Sequence, residues 1–225
     1  MKYKAVIFDL GGTLIANTLE NTNWRIEMAA ILSAPEADFA RAWEAAFKKR
    51  MTGEFYLVQD CIAHCCRELN LSVTEEQIQR AAKLRFNTTR EQVLTIQPHA
   101  VDTISQLKIK GCKIGLLSNC STETIIVWDE TPFKNIIDIT VFSCAVGLMK
   151  PDPRIYHLAL EKLQVKPNEC LYIADGMDGE LKAAAAVGMT PVRISFPHAN
   201  KNDPYLEDWQ GATITSLTEV LDLVE

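Results

Sequence analysis

Apolar positions along the chain follow two rhythms, and the change between them marks out its parts. Short β-branched runs at Lys4–Phe8, Lys113–Leu117, Ile139–Ala145, Cys170–Ala174 and Pro191–Ser195 read as strands. From residue 98 onward, helical segments alternate with them. Pro98–Lys110 sets Val101, Ile104 and Leu107 on one face and stops at Gly111. Asp152 reads as an N-cap with Pro153 at the first helical position, opening a helix to Leu163. Gly179–Val187 is an alanine-rich helix closed by Gly188, and Ser216 caps a last helix through Leu223. Strands alternating with helices predict an α/β fold: a doubly wound, mostly parallel sheet with helices on its faces.

Residues 15–93 follow only the helical rhythm. Four helices are expected, over Thr22–Leu32, Pro35–Arg50, Gly53–Leu69 and Thr74–Gln92, with Thr74 and Gln77 forming a capping box. So large a helical block between the first two strands reads as an inserted domain rather than a crossover. The expected division is an α/β core over 1–14 and 94–225, with a helical cap over 15–93. Trp24, Phe39, Trp43, Phe47 and Phe55 are read as the core of that block. The alternative is that one or two of them line a pocket facing the α/β part.

Composition narrows the class of partner. The 225 residues carry a formal charge of -6 with no basic stripe to offset it, so nucleic acid is not expected. No apolar run approaches a membrane span, and the four apolar residues before Asp9 are too few for a signal-peptide core. Seven cysteines, an odd number and mostly beside apolar runs, fit reduced buried thiols. A cytoplasmic protein is the expectation, a monomer with a dimer as the alternative. Cys61, His64 and Cys65 share a helical face, but a closed zinc site wants a fourth ligand, so they are read as half-buried helix residues.

Four polar sites stand just after four of the strands. Asp9 precedes Leu10-Gly11-Gly12-Thr13, Ser118-Asn119 follows the second strand, Lys150 follows Gly147-Leu148-Met149, and Asp175 precedes Gly176, Asp178 and Glu180. Each alone is weak, since such residues are usually caps, turns or solvated charges. In a doubly wound sheet, however, all four meet at one edge, where ligands bind. Two carboxylates, a hydroxyl and an ammonium there suit an anionic phosphate, with the carboxylates holding Mg²⁺ through oxygen and Lys150 and Ser118 holding phosphoryl oxygens. Cation and ammonium would relieve the repulsion that otherwise keeps the Asp9 carboxylate from attacking a phosphate.

These segments, Asp9-Leu10-Gly11-Gly12-Thr13, Leu117-Ser118-Asn119, Gly147–Pro153 and Ala174–Leu181, resemble the four ordered motifs of the haloacid dehalogenase (HAD) superfamily, and the helical insertion resembles its α-helical cap. The resemblance implies that Asp9 is nucleophile and metal ligand and that Lys150 is catalytic. It also implies that Gly12, Thr13, Ser118, Asn119 and Lys150 hold phosphate. The Gly11 carbonyl and Asp175 would bind Mg²⁺, with Asp178 or Glu180 as a further or supporting carboxylate. The substrate would be a small phosphorylated metabolite.

One position departs from the pattern. Family phosphatases carry Asp where this chain has Gly11, as the acid that protonates the leaving oxygen, an effect of about 10²–10⁴ in rate. Three readings stand: a substrate with a good leaving group, a replacement by a water or another residue (His99 is a candidate, though a structural role is favoured), or an inactive protein that binds a phosphorylated ligand or partner. Haloacid dehalogenases also lack the second Asp. Arg25 is the nearest candidate for their halide-cradling Arg, but Asp175-Gly176 with Glu180 resembles the metal-dependent phosphatases, and that reading is preferred.

Overall fold

The computed structural model describes residues 2–17, 23–177, 179–197, 199 and 203–225. Its strands are β1 (Ala5–Phe8), β2 (Lys113–Ser118), β3 (Ile139–Phe142), β4 (Cys170–Ala174), β5 (Thr190–Ile194) and β6 (Thr213–Ile214). They form one sheet in the order β3-β2-β1-β4-β5-β6, with every pairing parallel. The chain builds outward from β1 in one direction, then returns to the other side at β4. That reversal opens a crevice at the carboxyl ends of β1 and β4.

Alternation along the strands assigns each side chain to a face. Val6, Phe8, Ile114, Leu116, Leu171 and Ile173 belong to one buried cluster. Ala5, Ile7, Leu117, Tyr172 and Ala174 belong to the other. Each fully buried Leu, Ile or Phe contributes about 1.5–3 kcal/mol by leaving water.

The helices are α1 (Trp24–Ile31), α2 (Glu36–Ala45), α3 (Phe47–Met51), α4 (Val58–Glu68), α5 (Glu75–Leu94), α6 (Ala100–Ile109), α7 (Thr122–Trp128), α8 (Ser143–Val146), α9 (Pro153–Leu163), α10 (Glu180–Val187) and α11 (Val220–Leu223). α6, α7 and α11 cover one face of the sheet; α9 and α10 cover the other. Helices α1, α2, α4 and the first half of α5 close around a third cluster, in which Trp24, Phe39 and Trp43 are buried. The apolar boundary falls inside α5, because Val93 packs with the sheet cluster while Ala81 and Ala82 pack with the helical one.

Several boundaries differ from expectation for local reasons. The third strand ends at Phe142 rather than Ala145, because Ser143 begins a helical turn whose hydroxyl accepts the Cys120 N–H at 2.9 Å. The expected helix over Pro35–Arg50 divides at Ala46, where the Arg50 guanidinium donates to the Trp43 carbonyl. The next helix starts at Val58 rather than Gly53: Gly53 sits at φ 75° and the Asp60 side chain caps the Leu57 N–H. Ser216 opens a 3₁₀ turn, Leu217–Glu219, before α11. The Thr74–Gln77 capping box forms as read, with both reciprocal hydrogen bonds.

Candidate active site

Asp9 stands one residue past β1, and its N–H donates to the Ile173 carbonyl of β4 at 2.9 Å. Asp175 stands one residue past β4. Because β1 and β4 are neighbours, the two carboxylates share the crevice where the sheet reverses. Lys150 arrives from the loop between α8 and α9, which Asn119 clamps: its amide donates to the Lys150 carbonyl at 3.0 Å and accepts the Lys150 N–H at 2.8 Å. The loop after β2 therefore sets the height of the lysine over Asp9.

The buried Lys150 ammonium lies 2.5 Å from Asp9 Oδ1, 2.5 Å from Glu180 Oε2 and 3.1 Å from the Tyr172 hydroxyl. Glu180, in the first turn of α10, also accepts from the Tyr172 hydroxyl at 2.7 Å and from the Gly176 N–H at 3.2 Å. Both of its oxygens are therefore engaged in holding the lysine and the loop. Asp9, Asp175 and Glu180 nevertheless offer oxygens within 4.8 Å of one another, the one such acidic group among the described residues.

Three carboxylates around one ammonium leave an excess of negative charge in a buried place. Burial, reinforced by Glu180 against the opposing Lys150, raises the Asp9 pKa to about 6. Burial, with Glu180 and Asp9 beside it, pushes the Asp175 carboxyl well above its ordinary range. Burial works against the Lys150 charge, but Asp9 and Glu180 more than offset it and hold the ammonium protonated. An all-oxygen, electron-rich donor set of this kind fits a hard divalent cation such as Mg²⁺.

The two glycines are not equivalent. Gly12 sits at φ 66°, and a Cβ there would stand 2.0 Å from Asp175 Oδ2, so its backbone must approach that carboxylate bare. At Gly11 a Cβ would meet nothing within 4 Å. The fully buried Thr13 hydroxyl has no hydrogen-bond partner among the described residues. Ser118, at the end of β2, is buried and faces the cavity above Asp9.

Asp9, Lys150, Asp175 and Glu180 line a pocket of about 290 Å³. Through a rim that includes Gly11, Phe47, Ser118 and Asn119 it joins a larger cavity of about 510 Å³ under the helical block. Trp24, Trp43 and Phe47 line the larger cavity, so these three serve the pocket as well as, for the tryptophans, the helical core. Arg25 lines it too. His99 does not: it is exposed at the start of α6 with φ 64°. His64 packs on Phe55 at 5.3 Å between ring centroids, and Cys61, His64 and Cys65 form no ligand group. Asp178 lies outside the described residues.

Sequence reasoning missed Tyr172 and the arginines Arg50 and Arg85 that line the larger cavity. The signal for Tyr172 was a hydroxyl inside an otherwise apolar strand, which requires a buried partner. Nothing in helical periodicity marks which arginines turn inward.

The chain is similar to several known proteins. The chain is 29% identical over 205 residues to mouse acyl-CoA dehydrogenase family member 10, covering 87% of this chain and 18% of that protein. It is 28% identical over 146 residues to a glyceraldehyde 3-phosphate phosphatase of Methanocaldococcus jannaschii, covering 63% of this chain and 62% of that one. The chain thus spans less than two thirds of the length of either. A HAD family enzyme of Bacteroides thetaiotaomicron, solved with magnesium and inorganic phosphate, shares the fold at a TM-score of 0.67 and 19% identity, covering 89% of this chain and 98% of that one. A model of the haloacid dehalogenase-like hydrolase family matches residues 3–188, and the chain belongs to this family of hydrolases.

Proposed function

We propose that the protein is a Mg²⁺-dependent phosphohydrolase that acts on a small phosphorylated metabolite through an aspartyl-phosphate on Asp9. The observation that carries this reading is the gathering of Asp9, Asp175 and Glu180 within 4.8 Å, with the Lys150 ammonium bridging Asp9 and Glu180. Helices α1–α5 act as the cap over the site, dividing from the core near residues 15 and 93. Seven buried cysteines, none of them in a disulfide, support a reducing, cytoplasmic setting, and no helix of the described residues is long and apolar enough to cross a membrane.

Asp9, Asp175 and the Gly11 carbonyl would hold the cation, whose charge neutralises the phosphoryl group when bound. Glu180 serves by anchoring Lys150, with Tyr172 closing the triangle. Ser118, the Asn119 backbone amide and the bare backbone at Gly12 and Thr13 take the phosphoryl oxygens, and the orphaned Thr13 hydroxyl is a further donor. The Asn119 side chain is already committed to Lys150.

Lys150 fixes the Asp9 carboxylate through Oδ1 and shields it from the incoming dianion. An Asp9 oxygen attacks phosphorus, the bond from phosphorus to the ester oxygen breaks, and the alcohol leaves as its oxygen takes a proton. Water then attacks the phosphorus of the acyl phosphate, releasing inorganic phosphate and restoring the carboxylate. With Gly11 in place of an acid, the proton comes from water in the cavity, which favours esters whose leaving group needs little help.

A second reading, dehalogenation, draws on the missing acid and on Arg25 in the cavity lining. One panel separates the two. Wild type and Asp9→Asn are assayed with Mg²⁺ on aryl, acyl and alkyl phosphates and on 2-halocarboxylates, with chelator controls. Chelator-sensitive phosphate release lost in Asp9→Asn supports the proposal. Halide release without phosphate release overturns it.

A further inference from the structure

The larger cavity has a chemistry that a phosphoryl group alone does not explain. Three guanidiniums line it, those of Arg25, Arg50 and Arg85, against one carboxylate, Glu44. None of the three lines the smaller pocket around Asp9, so they lie beyond the rim that joins the two spaces. They are fixed on an aromatic frame. Arg25 and Arg85 each stack 4.6 Å from the Trp24 ring, Arg50 lies 4.2 Å from the Trp43 ring, and the two indoles meet edge to face at 5.6 Å.

Arg50 has a partner in the Trp43 carbonyl. Arg85 has none among the described residues: its Nε and Nη1 are closed to solvent and without a hydrogen-bond partner there. Among the described residues no carboxylate lies within ion-pair distance of it. Glu123 acts on it only from further away, and one oxygen of that buried carboxylate is itself without a partner. Burial, together with Arg50 and Arg25 nearby, brings the Arg85 pKa down to about 10. Closing two nitrogens of a guanidinium to solvent without an ion-pair partner is costly, and stacking on an indole offsets only part of that cost. A guanidinium is also the group best shaped for paired hydrogen bonds to a carboxylate or phosphoryl oxygen.

We infer that Arg85, with Arg25 and Arg50, forms a second anion subsite in the cap cavity, and that the substrate is a phosphomonoester carrying a second anionic group, carboxylate or phosphoryl, at its other end. The inference rests on the phosphohydrolase reading. The phosphoryl group sits at Asp9 and Lys150, a short chain passes the rim at Gly11 and Phe47, and the far anion meets Arg85. The apolar walls from Trp24, Trp43 and Met51 contact the chain between them.

The test is calorimetric and needs no turnover. Alkyl phosphonates are compared with ω-carboxyalkyl and ω-phosphonoalkyl phosphonates of the same chain length, in the presence of Mg²⁺. Wild type is expected to bind at least one doubly anionic series about tenfold or more tightly, as hydrogen bonds to a charged group imply. Arg85→Met is expected to lose most of that preference and Arg85→Lys to keep part of it. Which series gains identifies the far anion. Equal binding of the singly and doubly anionic series by wild type overturns the inference, whether or not the variants fold. Full preference retained by a folded Arg85→Met also overturns it. Preference without hydrolysis of any ester leaves the subsite standing and removes the phosphohydrolase reading; hydrolysis without preference does the reverse.

Discussion

Gly11 and Gly12 are adjacent, yet the chain needs them for opposite reasons. At Gly12 the backbone runs with φ 66° so close to Asp175 that a methyl group would overlap its carboxylate. Gly12→Ala therefore adds left-handed strain of about 1–2 kcal/mol and displaces Asp175. We expect lower thermal stability together with weakened Mg²⁺ binding by calorimetry; full Mg²⁺ affinity in this variant would contradict the arrangement. At Gly11 there is room and no positive φ. Gly11→Asp is expected to fold and to raise kcat for alkyl phosphates, by up to about 10²-fold, more than for p-nitrophenyl phosphate, whose leaving oxygen needs no proton. An equal change for both esters would refute the leaving-group explanation.

At the scale of elements, the site depends on loops from separate strands being locked to one another. The paired hydrogen bonds between Asn119 and the Lys150 backbone are such a lock. Asn119→Ala leaves two backbone groups without it, a loss of about 1–3 kcal/mol. Fluorescence-monitored urea unfolding should show that loss, and kcat should fall at least tenfold as Lys150 drifts, an order set by the sensitivity of catalysis to positioning. Thr74→Ala removes one half of the capping box of α5, far from Lys150, and should cost about 1 kcal/mol with kcat unchanged.

What could be read in the sequence divides at the same scale. β1, β2 and β4 and their terminal Asp9, Ser118 and Asp175 were legible, because apolar runs ending in polar residues are a local pattern. The end of β3 was not, since it depends on Ser143 bonding to Cys120 across the sheet. Nor was the break at Ala46, where a side chain takes a backbone carbonyl that helix periodicity assigns to an amide. The partners of Glu180, and the direction in which Arg85 turns, are likewise set by tertiary packing that no spacing encodes.

Across the whole molecule, two apolar clusters hold the sheet and a third holds the helical block, and the cavity lies between them. The buried crevice gathers more negative than positive charge. A bound divalent cation should therefore stabilise the fold as a whole, by about 2.7 kcal/mol at a hundredfold excess over its dissociation constant. Thermal unfolding with and without Mg²⁺ tests this, and Asp9→Asn should respond less than wild type; a melting temperature indifferent to Mg²⁺ would contradict the cation site.

The central claim is that the Asp9 carboxylate accepts a phosphoryl group. Acid-quenching the protein within its first turnover of an acyl or aryl phosphate, then locating modified peptides by mass spectrometry, tests it most directly. One phosphoryl group is expected on the peptide containing Asp9, absent without Mg²⁺ and absent in Asp9→Asn. Phosphate release during that turnover with Asp9 unmodified, or with the phosphoryl group on another residue, would contradict it.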